Sequence, residues 1–375
     1  MPGALRFRRQ SPKFPLMTEP LTPGATIGIL GGGQLGRMLS VAASRLGYIC
    51  HVFEPGAEPP AGHVARHVTT ASYEDEAALR AFGESVDVIT YEFENVPTSA
   101  LDLLVALAPI RPGRNALATS QDRLVEKEFL KEIGLSVAPF AEVDSLTDLQ
   151  IAVEDMGTPS ILKTRRFGYD GKGQVRLTTN DDATLVAAID SIAGAPAVLE
   201  GFVDFDLEIS VIAARGLDGS VSAYDPGHNV HVDGILRTTT IPSGASTDVV
   251  SKAMAAATNI LKSLGYVGVL GVEFFVDGDS LLVNEIAPRV HNSGHWTQDG
   301  CVVDQFEQHI RAITGWPLGD GSRYADVVME NLIGDEIDQL LELGEDTSVA
   351  LHAYGKADTK PGRKMGHINR VEGLT

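Results

Sequence analysis

A lysine on an apolar run, followed at once by a glycine-studded turn, suits phosphate chemistry. Ser160 to Val175 reads SILKTRRFGYDGKGQV, with Lys163 on the run and Gly168, Gly171 and Gly173 in the turn. Backbone N–H groups of such a loop can cradle phosphate oxygens, and a strand lysine can reach them. The spacing is not that of a Walker loop, and a plain flexible hairpin has the same composition. Glu200 ends the apolar run AVLE, placed either to read an adenine edge or ribose or to face water as an edge-strand charge. Further on, GVEFFVDGDSLLVNEIA puts Glu273 on one run and Asn284-Glu285 on the next, flanking the hairpin signal Asp277-Gly278. Pairing Glu273 with Glu285 aims both carboxylates to one face. Mg²⁺ takes such hard oxygen ligands and would offset the cost of burying them; the alternative is a solvent-facing pair. Arg289, His291, Asn292, Ser293, His295 and Trp296 then crowd into eight residues, a pattern expected of a site loop directly after a core strand, with Trp296 itself read as core. Near the C-terminus Lys356, Lys360, Arg363, Lys364 and Arg370 form the densest local cationic cluster, suited to a phosphate or to a solvated basic tail.

A second glycine-rich turn raises a different possibility. In IGILGGGQLGRML, Gly31, Gly33 and Gly36 have the spacing of a dinucleotide-binding turn, and Glu54 follows Gly36 by 18 residues, where a ribose-binding acid would stand. On this turn alone the chain reads as an NAD-linked oxidoreductase.

The elements that must position these residues fall into three groups. From Thr26, TIGIL, YICHVFEP and VDVITYEF read as strands, with QLGRMLSVAASRLG and SYEDEAALRAFGES as helices between them, a pattern that implies a parallel sheet. SQDRLVEKEFLKEIG reads as a helix opening at Ser120. PSILKTR, VRLTT and AVLEGFV then suggest a small β unit. LEISVIAARG, SVSAYD, LRTTTI, GVLGVEFFV and SLLVNEIA, interrupted by the helix TDVVSKAMAAATNILKSLG, predict a large antiparallel sheet with helices packed on it. The divisions expected are a disordered tail over 1–21, a Rossmann-like N-terminal domain over 22–118, a small lid domain over 119–203 and a larger α+β lobe over 204–375. The basic first twenty residues lack the apolar centre of a secretory signal and read as a tail, or as sequence upstream of an initiator at Met17.

Composition bounds the function classes. A chain of 375 residues with 43% apolar content supports two or three domains with real cores. No apolar run reaches the roughly 18–20 residues of a membrane span. Two cysteines cannot build a disulfide framework, which fits a reducing cytoplasm. A net charge of −20 excludes a broad nucleic-acid surface and leaves room for small anionic substrates met by a local cationic cluster.

Taken together, Lys163, the GYDGKGQ loop, Glu200, Glu208, Glu273 and Asn284-Glu285 resemble the ATP-grasp superfamily, whose members activate a carboxylate as an acyl phosphate and pass it to a nucleophile. Within it, GGGQLGRM, YEFENV, HNVHVDGILRTT, APRVHNSGHWTQ, QFEQHIRAITG and KPGRKMGHIN are similar to the N5-carboxyaminoimidazole ribonucleotide synthase family. The resemblance runs from about Thr26 to the C-terminus. Its PRVHNSGHWT and PGRKMGH strings separate it from biotin carboxylase, D-alanine ligase and formate-dependent glycinamide ribonucleotide transformylase. The departures are the extra N-terminal tail and the lack of a helix after His367.

The resemblance implies an ATP-grasp fold and the conversion of ATP, bicarbonate and 5-aminoimidazole ribonucleotide to ADP, phosphate and N5-carboxyaminoimidazole ribonucleotide. It implies ATP binding by Arg123, Lys163, the loop Gly168, Tyr169, Asp170, Gly171, Lys172, Gly173 and Gln174, then Glu200, Gly201, Phe202, Val203, Glu208, His231, Asn284 and Glu285. Mg²⁺ falls to Glu273 and Glu285. Gln34, Leu35, Glu92, Tyr169, Asp170, Lys356, Arg363 and Lys364 meet the ribonucleotide, so the first glycine turn serves that substrate and not NAD. Arg289, His291, Asn292 and Asp170 act on bicarbonate and the transferring group. A homodimer is the implied assembly, and the small domain the implied lid.

Overall fold

A computed structural model of the chain describes residues 19–168 and 172–374. Tyr169, Asp170 and Gly171, and nearly all of the expected N-terminal tail, lie outside the described residues. The first sheet is parallel throughout, its strands ordered His67–Thr70, Ile49–Glu54, Thr26–Leu30, Val88–Tyr91. Parallel neighbours need crossovers, supplied by the helices Gln34–Arg45 and Glu76–Glu84. The first of these buries Leu35, Leu39, Ala42 and Ala43 on one stripe. The second starts where the Asp75 carboxylate accepts the Ala78 N–H. The strand His67–Thr70 was not expected: it is short, polar and mostly exposed, so it lacks the alternation that marks a half-buried strand.

One helix start needs correction. Ser120 ends a separate, unexpected helix, Arg114–Ser120, and the helix expected to open there opens instead at Arg123 and runs Arg123–Glu132. Ser120 turns its hydroxyl back to the carbonyls of Ala116 and Leu117 and so belongs to the end of the first. Asp122 caps the second, accepting the N–H groups of Leu124 and Val125. Leu130 of this helix lies in the core of the large lobe.

The small sheet is antiparallel, ordered Phe140–Val143, Ala197–Gly201, Ser160–Thr164, Gln174–Leu177. The helices Leu146–Met156 and Asp182–Ser191 pack with it around Leu149, Val153, Leu162, Leu185 and Leu199, a core of its own. The large sheet has nine strands among the described residues, all antiparallel. Its helix Thr247–Ser263 is capped by Ser246 and packs beneath Val211, Leu270 and Phe274. Ala325–Ile333 and Lys364–Leu374 pair inside this sheet. Met365, Gly366, His367, Ile368 and Asn369 are buried, so part of the basic segment is an internal strand rather than a solvated tail.

The N-terminal sheet and the large lobe share one apolar core. Ile27, Ile29, Leu39 and Ala42 pack in a single cluster with Trp296, Phe306, Ile310 and Met329. Trp296 is core, as its sequence setting suggests. Among the described residues, no helix is long and apolar enough to cross a membrane.

Candidate functional site

Lys163 and Glu200 stand on neighbouring antiparallel strands, with Lys163 opposite Val198. Glu200 is therefore the diagonal neighbour on the same face, and Lys163 Nζ donates to Glu200 Oε2 at 2.9 Å. Burial opposes the Glu200 charge, but Lys163 and Lys127 outweigh it and hold the carboxyl below its usual range. Burial lowers Lys163 despite that partner. The turn after Lys163 closes where Thr164 N–H donates to the Gly173 carbonyl. Gly173 has φ +71°, and a Cβ there would meet Thr164 Oγ1 at 2.6 Å, so glycine is required. Gln174 then opens the strand opposite Lys163. Lys172 lies in this turn, and Arg123 Nη2 reaches the Gly168 carbonyl at 3.5 Å. Gly201 and Phe202 lead out of the sheet toward Val203, with the Arg176 guanidinium 4.2 Å from the Phe202 ring centre.

The acidic hairpin contains a device that its sequence does not reveal. Asp277 pairs with Ser280, so a regular hairpin would set Glu273 opposite Asn284. A bulge after Glu273 puts Glu285 there instead. Glu273 and Glu285 thus face each other as expected. Glu285 Oε2 lies 3.1 Å from Arg123 Nη1. Desolvation opposes the Glu285 charge, and Arg123 and Lys163 more than offset it, so Glu285 stays ionised. Glu273 is pushed up, first by burial and then by Glu285 and Glu208. Glu208 and His231 arrive on the next two strands, with His231 Nδ1 3.1 Å from Glu208 Oε2. That contact is close but poorly aligned as a hydrogen bond. Burial works against protonation of His231, yet Glu208 and Glu273 raise it. Single ligand atoms of Glu208, His231 and Glu273 lie within 4.8 Å of one another.

Behind the hairpin, Arg289 Nε pairs with Glu94 of the N-terminal domain. His291 Nδ1 accepts from the Ser293 N–H and lies 2.8 Å from its hydroxyl. The proton of neutral His291 therefore sits on Nε2, 3.6 Å from Glu273 Oε1. Burial, then Arg289, lower His291 to about 3. Asn292 and Asn331 exchange both amide hydrogen bonds, at 2.9 and 2.7 Å, so this structure uses Asn292 to fix the loop.

The dinucleotide reading of the first glycine turn is corrected by its carboxylates. Glu92 accepts from Gly33 N–H at 2.7 Å and Gly36 N–H at 3.2 Å, and Glu54 accepts from Gly32 N–H at 2.7 Å. The donors a pyrophosphate would use at this helix start are engaged by the protein's own acids. Gly31 and Gly33 are glycines because a Cβ at either would press to 2.7 Å on the Glu92 side chain. Gln34 follows on the first helical turn, while Leu35 points into the shared core and offers a ligand only its backbone.

In the C-terminal segment Lys356 Nζ donates to the Lys364 carbonyl at 2.6 Å, and Arg363 to the Asp358 carbonyl at 3.0 Å. The Lys364 charge is felt by His231, Glu273 and His291, which places it toward the acidic hairpin. Residues not anticipated are Glu94, Asn331, Glu126 and Lys127. The last two were legible as an acid and a base on the buried i, i+3, i+4, i+7 stripe of Arg123, Glu126, Lys127 and Leu130.

Three family matches cover the chain in order. Residues 24–121 match the ribonucleotide synthetase preATP-grasp domain, 128–306 the ATP-grasp domain and 327–373 the phosphoribosylaminoimidazole carboxylase C-terminal domain. The N5-carboxyaminoimidazole ribonucleotide synthase of Brucella melitensis is 52% identical over 95% of this chain and 98% of its own. The Staphylococcus aureus N5-carboxyaminoimidazole synthetase complexed with ADP superposes with TM-score 0.90 at 39% identity, covering 96% of each chain. The Aspergillus clavatus N5-carboxyaminoimidazole synthase in complex with ADP and 5-aminoimidazole ribonucleotide gives 0.87 at 32% identity, over 94% of each. This extent of likeness, across all three sheets, shows that the chain belongs to the N5-carboxyaminoimidazole ribonucleotide synthase family of ATP-grasp ligases.

Proposed function

We propose that this chain uses ATP to join bicarbonate to the amine of 5-aminoimidazole ribonucleotide, giving ADP, phosphate and N5-carboxyaminoimidazole ribonucleotide in de novo purine synthesis. The observation that carries this reading is the facing of Glu273 and Glu285 beside Arg123, Lys163 and the pair Arg289–His291. Phosphoryl transfer needs little covalent help from a protein; it needs positioning and charge. Lys163 and the 168–174 loop hold the ATP phosphates, with Arg123 beside them. Glu200 through Val203, Glu208 and His231 take the adenosine end.

The residues fit Mg²⁺: Glu273 and Glu285 stand opposite each other on paired strands with Glu208 and His231 beside Glu273, and the burial and neighbouring acids that raise Glu273 are what a divalent cation would offset. Glu273 and Glu285 would hold it, with Asn284 alongside, and it would supply charge neutralisation for the phosphates. A bicarbonate oxygen attacks the γ-phosphorus and the bond to ADP breaks, leaving carboxyphosphate. The amine of the ribonucleotide takes the carboxyl carbon, directly or as CO₂, phosphate departs with the attacking oxygen, and the amine's proton leaves with it. Arg289, its charge fixed by Glu94, offsets the developing negative charge. His291, neutral with its Nε2–H on the Glu273 side, would donate to the carboxyl oxygens of the substrate held there, and Asn292 keeps that loop in register. Lys356, Arg363 and Lys364 meet the ribonucleotide phosphate, with Glu92 and Gln34 at its other end. Tyr169 and Asp170 keep their expected substrate roles on resemblance. Carboxyphosphate hydrolyses readily, which favours a closing small domain that excludes water. A homodimer in the cytoplasm follows the family pattern, and the buried free thiols Cys50 and Cys301 suit a reducing compartment.

The test is ADP release measured with bicarbonate and the ribonucleotide added separately and together. Fast release that needs both, with one carboxylated ribonucleotide formed per ADP, is expected. Equal release with neither present would reduce the chain to an uncoupled ATPase. A different amine acceptor used faster would move it to another carboxylate–amine ligase.

A further inference from the structure

With the site assigned, one buried cation has no task. Lys127 is 1% exposed, a rare state for lysine unless paired. Its Nζ lies 3.3 Å from Glu200 Oε2, the same oxygen that accepts Lys163 at 2.9 Å. Two ammonium groups on one carboxylate oxygen exceed what neutralising it requires. The other oxygen, Glu200 Oε1, is buried and meets no hydrogen-bond partner among the described residues. The two lysines also differ in anchorage. Lys163 rides on the small sheet. Lys127 is carried by the helix Arg123–Glu132, whose Leu130 sits in the large-lobe core and whose Glu126 Oε1 accepts the Ile286 N–H at 2.6 Å, next to Glu285.

We propose that Lys127 is a positioning residue that holds Glu200 charged and oriented, so that Lys163 is free to leave it for a phosphate. This rests on the ATP reading above. When nucleotide phosphates draw the Lys163 ammonium away, Glu200 loses its nearer cation. A buried carboxylate stripped of its only counter-charge is strongly destabilising. Lys127, out of reach of solvent and fixed to the lobe, keeps that from happening. It also leaves Glu200 Oε1 open to accept from the nucleotide's amine or ribose hydroxyl. Without Lys127, Lys163 would be retained on Glu200 and withheld from the phosphates, so binding and turnover would both suffer.

The test compares Lys127→Met, Lys127→Arg, Glu200→Gln and the double variant Lys127→Met/Glu200→Gln, by ADP titration and by steady-state kinetics. Lys127→Met is expected to weaken ADP and raise KM for ATP by about 10- to 100-fold, to lower kcat, and to leave KM for the ribonucleotide within about twofold. Lys127→Arg keeps the charge and recovers most of the loss. In the Glu200→Gln background the Met substitution adds less than about threefold, because no carboxylate charge remains to be held. Should Lys127→Met alone fail to fold, the double variant is expected to fold, since it removes both buried charges. Wild-type nucleotide affinity in Lys127→Met, losses that multiply in the double variant, or a double variant that also fails to fold each overturn the inference. Wild-type protein that binds no adenine nucleotide overturns the functional reading with it; wild-type binding beside an indifferent Lys127→Met overturns this inference alone.

Discussion

Between the N-terminal sheet and the large lobe the contacts are apolar and sealed. Ile27, Leu39 and Ala42 share a core with Trp296, Phe306 and Met329. His309, fully buried, spans the junction, with Nε2 2.8 Å from Thr90 Oγ1 and Nδ1 accepting the Val269 N–H at 3.0 Å. Between the small sheet and the rest, the side chains that meet are charged: Lys127 with Glu200, and Arg165 with Asp122. Burying apolar area is non-directional and is lost when surfaces part. Ion pairs can be exchanged for a ligand's charges at small net cost. The first junction makes one platform of two domains. The second joins the proposed lid to the platform through ion pairs, Lys127 with Glu200 and Arg165 with Asp122, that a nucleotide's charges could replace.

Breaking the platform carries the largest effect on stability. Trp296→Ala is expected to cost about 3–5 kcal/mol in denaturant unfolding, since it empties a large site in the shared core. Leu199→Ala, in the separate core of the small domain, should instead loosen that domain locally, seen as faster amide exchange confined to its sheet. A uniform loss of protection from Leu199→Ala would contradict the comparison.

Substitution in the proposed cleft between the small domain and the large lobe should leave stability and remove chemistry. Glu285→Gln is expected to lower kcat by about 10²–10³ with an unchanged unfolding midpoint, because it withdraws a charge from the reacting centre and not a packing group. Arg363→Ala tests the platform side of the cleft. Losing a charged hydrogen bond should raise KM for the ribonucleotide by roughly 10- to 100-fold and leave that for ATP alone. A rise for ATP instead would show that the cleft is divided differently.

Per pH unit, the smallest effect is the pH response of the junction. Burial lowers His309 to about 3, so the unfolded chain binds this proton near pH 6.5 and the folded chain does not. Stability from this group is complete above pH 6.5 and is lost as pH falls from there toward 3, by at most about 1.4 kcal/mol per pH unit. His309→Gln should flatten that part of the stability–pH curve, while His295 and His367, also buried and lowered, leave a residual slope. An unchanged slope in His309→Gln would mean that the group titrates alike in both states.

The contrast also explains what could be read from the chain. Lys163 with its glycine loop and the acidic hairpin stood out as candidates because each lies on a short run with its neighbour across one turn, and Glu200 because it ends an apolar run, although the Lys163–Glu200 contact spans 37 residues. Glu273 facing Glu285 was anticipated, but the bulge that achieves it was not, since a one-residue insertion leaves no mark in an apolar pattern. The dinucleotide spacing was real and its meaning was not. Glu92 lies 59 residues from Gly33, and only folding brings the carboxylate to those N–H groups. The internal strand Lys364–Leu374 was hidden by its charges: Lys364 is felt at the acidic hairpin, while Arg370 pairs with Asp346 at the surface. Asn292 drew attention as a polar residue in a site loop, while Asn331, which holds it, sits on a distant strand.

The account turns on bicarbonate being phosphorylated in this cleft. Bicarbonate labelled with ¹⁸O, supplied with ATP and 5-aminoimidazole ribonucleotide, tests that directly by mass analysis of the phosphate released. If a bicarbonate oxygen attacks the γ-phosphorus, each phosphate carries one ¹⁸O at early turnover, whether the amine meets carboxyphosphate or CO₂. Carboxylated product formed together with unlabelled phosphate would contradict the account, because ATP would then be cleaved by water and not by the bicarbonate proposed to sit at Arg289 and His291.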